Sequence, residues 1–189
     1  EAVRHYSPDC RFVPDSLLTA DFLQEAVEVN GEVLTYIDKQ KRTDEMYWAA
    51  AEDYPPIYKE MPDRLKTETM HELIVRDNGF FLNLLNEKDR TARVCKTALE
   101  SFPELDTMFA YKMIEYIPHP EICLNLLVNL GPQIGAYTLL EAMNPKVINT
   151  EIALEAIRQD ISCVALLPDS IKGEKIPVIT EQERQDIKS

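Results

Sequence analysis

The residues best suited to covalent or metal chemistry in this chain of 189 residues are its cysteines and histidines: Cys10, Cys95, Cys123, Cys163, His5, His71 and His119. A cysteine and a histidine can form a nucleophile and its base, because such pairs meet in space rather than in sequence. No CxxC pair is present, whereas a zinc site usually takes closely paired ligands. We therefore predict no metal site, no cofactor and no catalytic residues, with the cysteines as small buried thiols in a reducing compartment. A catalytic domain with a Cys- or His-based site is the alternative.

The one tryptophan, Trp48, has acidic residues at helical spacing around it. Glu45 and Glu52 lie three residues before and four residues after it, which places all three on one face of a helix. Tryptophan is enriched among the residues that dominate binding energies in protein interfaces. We predict that Trp48, Glu28, Glu45 and Glu52 dock a basic, partly apolar segment of a protein partner. In the alternative, Trp48 packs on a neighbouring helix of its own chain, since tryptophan is usually well buried.

The element that carries Trp48 belongs to a repeat with a period of 24 residues. Threonines stand at this spacing, and twelve residues after each of them stands a glycine or a proline: Thr19, Thr43, Thr67 and Thr91, then Gly31, Pro55, Gly79 and Pro103. A fixed period of this length is typical of repeat architectures. Positions in a repeat unit are counted below from its threonine.

Each repeat unit predicts a long helix, a break and a short second helix. Positions 3, 4, 7 and 8 are mostly apolar, as in Phe22, Leu23, Ala26 and Val27, and they form one stripe on a helix. The threonine is a good N-cap, and the Gly or Pro at position 12 ends the helix, Gly by a left-handed conformation and Pro by its missing N–H. Apolar residues near positions 15 and 18 predict the second helix, and a polar loop with several Lys and Arg residues follows.

The register of the unit also predicts where the candidate surface lies. Trp48 is at position 5, which is about 130° from the centre of the apolar stripe and should face away from the hydrophobic seam. Glu28 and Glu52 both occupy position 9 of adjacent units. The predicted surface therefore crosses two units.

After Thr91 the spacing grows. The next units begin at His119 and Thr150, which are intervals of 28 and 31 residues. Because four and seven residues are close to one and two helical turns, we predict longer second helices at 104–117 and 132–143, with the break at Gly131. The whole pattern predicts an all-α, solenoid-like helical repeat domain over residues 1–172, with about seven units of which the first is truncated, and a charged tail over 173–189.

Composition narrows the class of partner. The net charge of −13 disfavours nucleic acid, whose binding proteins normally carry a basic patch. No stretch approaches the roughly 20 apolar residues of a membrane span, so we predict no membrane insertion. A protein partner, basic in character, is the remaining expectation.

Short motifs resemble a known family. The chain resembles the bacterial repeats catalogued as domain of unknown function 4116. The motifs that carry the resemblance are Asn30-Gly31, Asn78-Gly79 and Pro62-Asp63-Arg64-Leu65-Lys66. The resemblance covers residues 1–172, and the spacing over 104–149 departs from it. It implies a bacterial protein and an interaction or scaffolding module within a larger chain, either in the bacterial cytoplasm or secreted into a host cell as part of an effector. It carries no catalytic residues.

Overall fold

The computed structural model describes Pro14, residues 18–102 and residues 107–172. Those residues form helices and turns and contain no strand, so the predicted all-α class is confirmed for them. No helix in this part of the chain is long and apolar enough to cross a membrane. The chain divides into an N-terminal subdomain, Glu1–Ser101, and a C-terminal subdomain, Phe102–Ser189. The truncated first unit, Cys10, His5, the break at Pro103 and the tail from residue 173 lie outside the described residues.

The α-helices of the N-terminal subdomain begin 24 residues apart, and their bounds are α1 Ala20–Val29, α2 Asp44–Asp53, α3 Glu68–Arg76 and α4 Ala92–Glu100. The second helices are 3₁₀ helices: η1 Gly31–Tyr36, η3 Pro55–Glu60 and η5 Gly79–Leu84. The segments predicted as loops contain further 3₁₀ turns: η2 Lys39–Lys41, η4 Asp63–Leu65 and η6 Glu87–Asp89. The 3₁₀ form suits the sequence, because a 3₁₀ turn holds three residues and each second helix has a buried residue three positions before the buried residue that ends it. These pairs are Leu34 and Ile37, Tyr58 and Met61, and Leu82 and Leu85.

The predicted threonine caps are confirmed. The hydroxyl oxygens of Thr19, Thr43, Thr67 and Thr91 each accept a hydrogen bond from the backbone N–H three residues on, at 3.2 to 3.3 Å. Each bond satisfies one of the backbone donors that the first turn of a helix leaves without a partner.

The predicted apolar stripe forms the core of this subdomain. In α2 its members Met46, Tyr47, Ala50 and Ala51 are all buried. Successive α-helices pack on one another, and α2 and α4 also cover the 3₁₀ helices η1 and η5 that precede them. Each unit therefore buries its apolar residues against the unit that follows it.

The glycine at position 12 does not work as predicted. Among the described residues, positive φ occurs only at Gly135, so Gly31 is not a left-handed cap. A Cβ atom on Gly31 would lie 2.6 Å from the backbone oxygen of Ala50 in the next helix. The Gly31 N–H donates to Asp53 Oδ2 at 3.0 Å, and the Gly79 N–H donates to Ser101 Oγ at 2.8 Å. Glycine is needed here because two repeat units approach closely, and its amide joins them.

The C-terminal subdomain is less regular. Its elements are α5 Thr107–Ile114, α6 Pro120–Ile134, α7 Ala136–Ala142, η7 Pro145–Val147, α8 Thr150–Gln159, η8 Ile161–Leu166 and α9 Asp169–Lys172.

The predicted break at Gly131 and the long second helix over 132–143 are wrong. Helix α6 continues through Gly131 and Pro132 and ends at Ile134, with Gly135 as its C-cap at a φ of 99°. Pro132 lies in the last turn and removes only its own N–H from the helix. The extra residues therefore lengthen the first helix of this unit, and α7 remains short.

The predicted start of α8 is wrong by one residue. Its N-cap is Asn149, whose Oδ1 accepts from the Ile152 N–H at 2.9 Å, and Thr150 is already helical. Counted from Asn149, the stripe positions are Ile152, Ala153, Ala156 and Ile157, which are all buried. Position 5 of this unit is therefore Leu154 rather than Glu155.

Candidate functional site: the surface around Trp48

Trp48 lies in the middle of α2 and is partly exposed. Its neighbours in sequence, Met46 and Tyr47, are buried in the stripe, and Ala50 begins the next buried turn. The indole thus sits at the edge of the core with part of its surface open to solvent. This position suits an aromatic anchor, which combines a supported ring with an accessible face.

The predicted carboxylates are all exposed. Glu45 and Glu52 share α2 with Trp48, whereas Glu28 lies near the end of α1, the helix that packs beside α2. Glu28 Oε1 accepts a hydrogen bond from Gln24 Nε2 at 2.8 Å. The partner of Glu28 is thus a neutral amide rather than a cation. The fold therefore places Glu45, Trp48 and Glu52 on one helix, and Glu28 on the adjacent one.

A cation modifies one end of this surface. Arg76, at position 9 of the next unit, has a raised pKa chiefly because its guanidinium donates to Asp77 Oδ1 at 3.1 Å, and the charge of Glu52 contributes in the same direction. The sequence predicts that Arg76 lies in the same row as Glu52, because both are at position 9. It does not predict that Arg76 pairs with Asp77. The acidic character is therefore strongest toward Glu28 and Glu45.

A salt bridge shows how position 5 meets the next unit. Glu72, at position 5, accepts from Arg93, at position 2 of the following unit, with 2.8 Å between Oε1 and Nε. By the same register we expect Trp48 to face Thr69, which is exposed. A threonine is too short to cover an indole, so this neighbour leaves the ring accessible.

Two arginines of the predicted polar loops form hydrogen bonds to backbone carbonyl groups within the fold. The side chain of Arg42 is 4% exposed; Nε donates to Ile37 O at 2.8 Å and Nη1 to Glu60 Oε2 at 2.8 Å. Arg90 donates from Nε and Nη2 to Leu85 O at 3.0 and 2.8 Å. Both arginines close the carbonyl end of a 3₁₀ helix. The signal was in the sequence, because each stands directly before a capping threonine.

A histidine and a tyrosine form a buried polar pair in the N-terminal subdomain. His71 occupies position 4 of the apolar stripe and is buried, and its partner is the hydroxyl of Tyr58, at 3.1 Å from Nε2. The rings meet edge to face, with centroids 5.7 Å apart. Burial lowers the pKa of His71 and raises the pKa of Tyr58 to about 12, so both side chains are neutral near pH 7. The tautomer of His71 decides which of the two groups donates, and the buried bond between two neutral groups gives the pair a structural rather than a catalytic geometry.

The described thiols are poorly placed for nucleophilic chemistry. Cys95, Cys123 and Cys163 are buried thiols. Burial raises the pKa of Cys163 to about 11, whereas a reactive cysteine needs a lowered pKa and access to solvent. The thiols of Cys95 and Cys123 each lie 3.6 Å from a backbone carbonyl oxygen. Within the described ranges, no group of three or more His, Cys, Asp or Glu side chains could hold a metal ion.

Comparison with known proteins gave no relative. No family model matches the chain, and neither a curated protein nor a solved structure matches it. The function must therefore be argued from the geometry of the molecule itself.

Proposed function

We propose that this chain is a solenoid-like array of 24-residue helix-pair units that serves as a protein-interaction module within a larger bacterial protein. The observation that carries the proposal is the partial exposure of Trp48 on a helix whose stripe residues are all buried. A tryptophan held at its base by a core and open at its edge loses little side-chain entropy on binding. The bacterial source, and the choice between the cytoplasm and a host cell, rest on the motif resemblance.

The partner segment is basic and partly apolar. An apolar side chain of the partner packs on the indole, and its Lys or Arg residues face Glu28, Glu45 and Glu52. These carboxylates are exposed, so each contributes little to affinity and more to the rate of association and to the choice of partner. Most of the binding energy then comes from Trp48.

Because the chain has one tryptophan, its fluorescence reports directly on the surroundings of Trp48. Titration with a synthetic peptide of alternating Lys and Leu residues should shift the fluorescence of Trp48, and a Glu/Leu peptide of equal length should not. In an assay with labelled Lys/Leu peptide, Trp48→Ala should weaken binding by about 2 kcal/mol, or about thirtyfold in Kd. Glu45→Gln should have a smaller effect that fades as salt is added.

The matched control is Glu151→Gln, which neutralises an exposed carboxylate in the first turn of α8. It should leave both the affinity and its salt dependence unchanged. Equal binding by Trp48→Ala and the parent chain, at equal melting temperature, would remove this surface as the docking site.

A further inference from the structure

The described junctions between consecutive repeat units are of two kinds. Where position 12 of a unit is glycine, position 7 of the next unit is alanine. Counted from Thr19, Thr67, His119 and the following caps, these junctions are Gly31 with Ala50, Gly79 with Ala98, and Gly131 with Ala156. The junction between α2 and α3 instead combines Pro55 at position 12 with Ile74 at position 7. The smallest residues therefore meet at one kind of junction and larger ones at the other.

At a glycine junction, the side chain at position 10 of the next unit contacts the glycine. The Gly31 N–H donates to Asp53 Oδ2 at 3.0 Å, and the Gly79 N–H donates to Ser101 Oγ at 2.8 Å. Gln159, at position 10 counted from Asn149, fills the space beside Gly131 in the same register. A contact between position 12 and position 10 of the next unit thus recurs at all three glycine junctions.

The proline at position 55 prevents this arrangement. Pro55 has no N–H to donate, and it carries the Cβ atom that a glycine lacks. At the equivalent Gly31 a Cβ would lie 2.6 Å from the backbone oxygen of Ala50, so α3 cannot approach Pro55 as closely as α2 approaches Gly31. In agreement, α3 packs on η3 much less extensively than α2 packs on η1 or α4 on η5. Helices α2 and α3 also pack on each other less extensively than α1 and α2, or α3 and α4.

The residue at position 10 of the α3 unit, Asp77, faces solvent instead of the preceding unit. Its side chain is 69% exposed, and its Oδ1 accepts from Nε of the adjacent Arg76 at 3.1 Å. The same residue type at Asp53 accepts from a glycine amide of the preceding unit. Asp77 and Asp53 therefore differ in what the preceding position 12 offers them.

Side-chain bonds reinforce the tight junctions. Nη1 of Arg42, which precedes the α2 unit, donates to Glu60 Oε2 at 2.8 Å. Across the junction of α3 and α4, the Arg93 guanidinium lies 2.8 Å from Glu72 Oε1, and the Thr91 hydroxyl donates to Glu68 Oε1 at 2.7 Å.

The junction of α2 and α3 is bridged by the buried bond between Tyr58 and His71. Both groups are neutral near pH 7, and a hydrogen bond between neutral groups contributes less than one that involves a charge. This junction therefore combines looser packing with a polar contact in place of the glycine amide bond.

We propose that the N-terminal subdomain consists of two cooperative pairs of helices, α1 with α2 and α3 with α4, and that the junction at Pro55 is a flexible joint between them. The stability of a repeat array is a sum of unit and interface terms, so the array divides at its weakest interface. Glu28, Glu45, Trp48 and Glu52 all lie on the first pair. The joint thus lies beside the candidate docking surface without dividing it.

Native-state hydrogen exchange in increasing urea, followed by mass spectrometry on the full chain, tests the division. The slowest amides of α1 and α2 should share one opening free energy and one dependence on urea, and those of α3 and α4 should share a different one. A single value for all four helices would overturn the proposal. A boundary between α1 and α2, or between α3 and α4, would overturn it as well.

Two variants at position 10 provide a matched comparison. Asp53→Ala removes the acceptor of the Gly31 amide and should accelerate exchange in α1 and α2 about tenfold, while α3 and α4 stay unchanged. Asp77→Ala should leave exchange in both pairs unchanged, because Asp77 accepts from its own neighbour Arg76. Acceleration that spreads equally to α3 and α4 in Asp53→Ala would show that no joint separates the pairs. Equal acceleration by both variants would show that Asp77 also holds its junction, which would contradict the proposal.

Discussion

The two subdomains use glycine in opposite ways. In the N-terminal subdomain, Gly31 lies outside the α-helices and meets the backbone of the next helix at Ala50. In the C-terminal subdomain, Gly131 lies inside α6, and the atoms nearest to a Cβ built on it belong to the side-chain amide of Gln159. Both glycines make room for a neighbour, but the first neighbour is fixed and the second can rotate. This difference indicates that the loss of stability on replacing a glycine depends on whether the opposing atom belongs to the backbone or to a side chain.

The largest effect is expected from Gly31→Ala. Its new methyl group must displace the backbone of α2, so we expect a loss of about 2–3 kcal/mol in the free energy of unfolding, as for other overpacked sites. Gly131→Ala should cost less, although its Cβ would lie even closer to its neighbour. Gln159 can rotate away, and alanine is favoured over glycine in a helix by about 1 kcal/mol.

Urea denaturation of the two variants checks this order. The same m-value in both would show that only the native contacts changed. A Gly131→Ala variant as unstable as Gly31→Ala would contradict the distinction between a fixed and a movable neighbour.

The next effect concerns the buried pair of the N-terminal subdomain. Tyr58→Phe keeps the ring but leaves Nε2 of His71 buried without its hydrogen-bond partner, so we expect a loss of about 1–3 kcal/mol. Tyr54→Phe serves as the control, because Tyr54 is only partly buried. Thermal unfolding compares the two, and an equal loss in both would mean that the hydrogen bond is not the cause.

The same pair predicts a pH dependence. Burial lowers the pKa of His71, so as the pH falls below about 6.5 the unfolded chain binds a proton before the folded chain does. Stability should therefore fall between pH 6.5 and the lowered pKa of His71, and no such loss arises at higher pH. The slope should be absent in His71→Leu, and a slope that persists there would assign it to other groups.

The smallest effects concern the helix starts. Thr43→Ala removes the 3.2 Å bond to the Met46 N–H and should cost about 0.5–2 kcal/mol. The equivalent residue of α6, His119, makes no side-chain cap bond. His119→Thr should therefore stabilise the C-terminal subdomain, by no more than a cap is worth. Differential scanning calorimetry measures the change in stability of each variant. A loss of stability in His119→Thr would show that His119 has another structural role.

The regular part of the fold could be predicted because each of its features is local. A threonine, three residues and an apolar stripe specify a capped helix without knowledge of its neighbours, and α1–α4 follow that pattern. The exposed carboxylates and the partly open Trp48 also follow from helical geometry alone.

The rest depends on contacts that the sequence does not show. The reason for Gly31 is the approach of α2, and the space beside Gly131 is filled by the side chain of Gln159. The start of α8 was misplaced because Asn149 and Thr150 are both good caps, and only burial of the stripe separates them. Arg42 stands directly before a capping threonine, but its burial is not expected from the sequence, because a charged residue in a polar segment is usually solvated.

The hydrogen bond from the Gly31 N–H to Asp53 in the next unit also bears on the chemical stability of the chain. Asn30-Gly31 is a dipeptide prone to deamidation, in which the glycine nitrogen attacks the asparagine side chain and ammonia leaves. Here the Gly31 N–H is held by the carboxylate of Asp53, and Asn30 Oδ1 is held by the Glu32 N–H. Both reacting groups are thus restrained, the Gly31 amide by the contact between units and the Asn30 side chain by a local bond. Mass spectrometry should find deamidation at Asn30 slow in the folded chain, faster in Asp53→Ala and fastest in urea, so that the contact between units also sets how fast the chain ages.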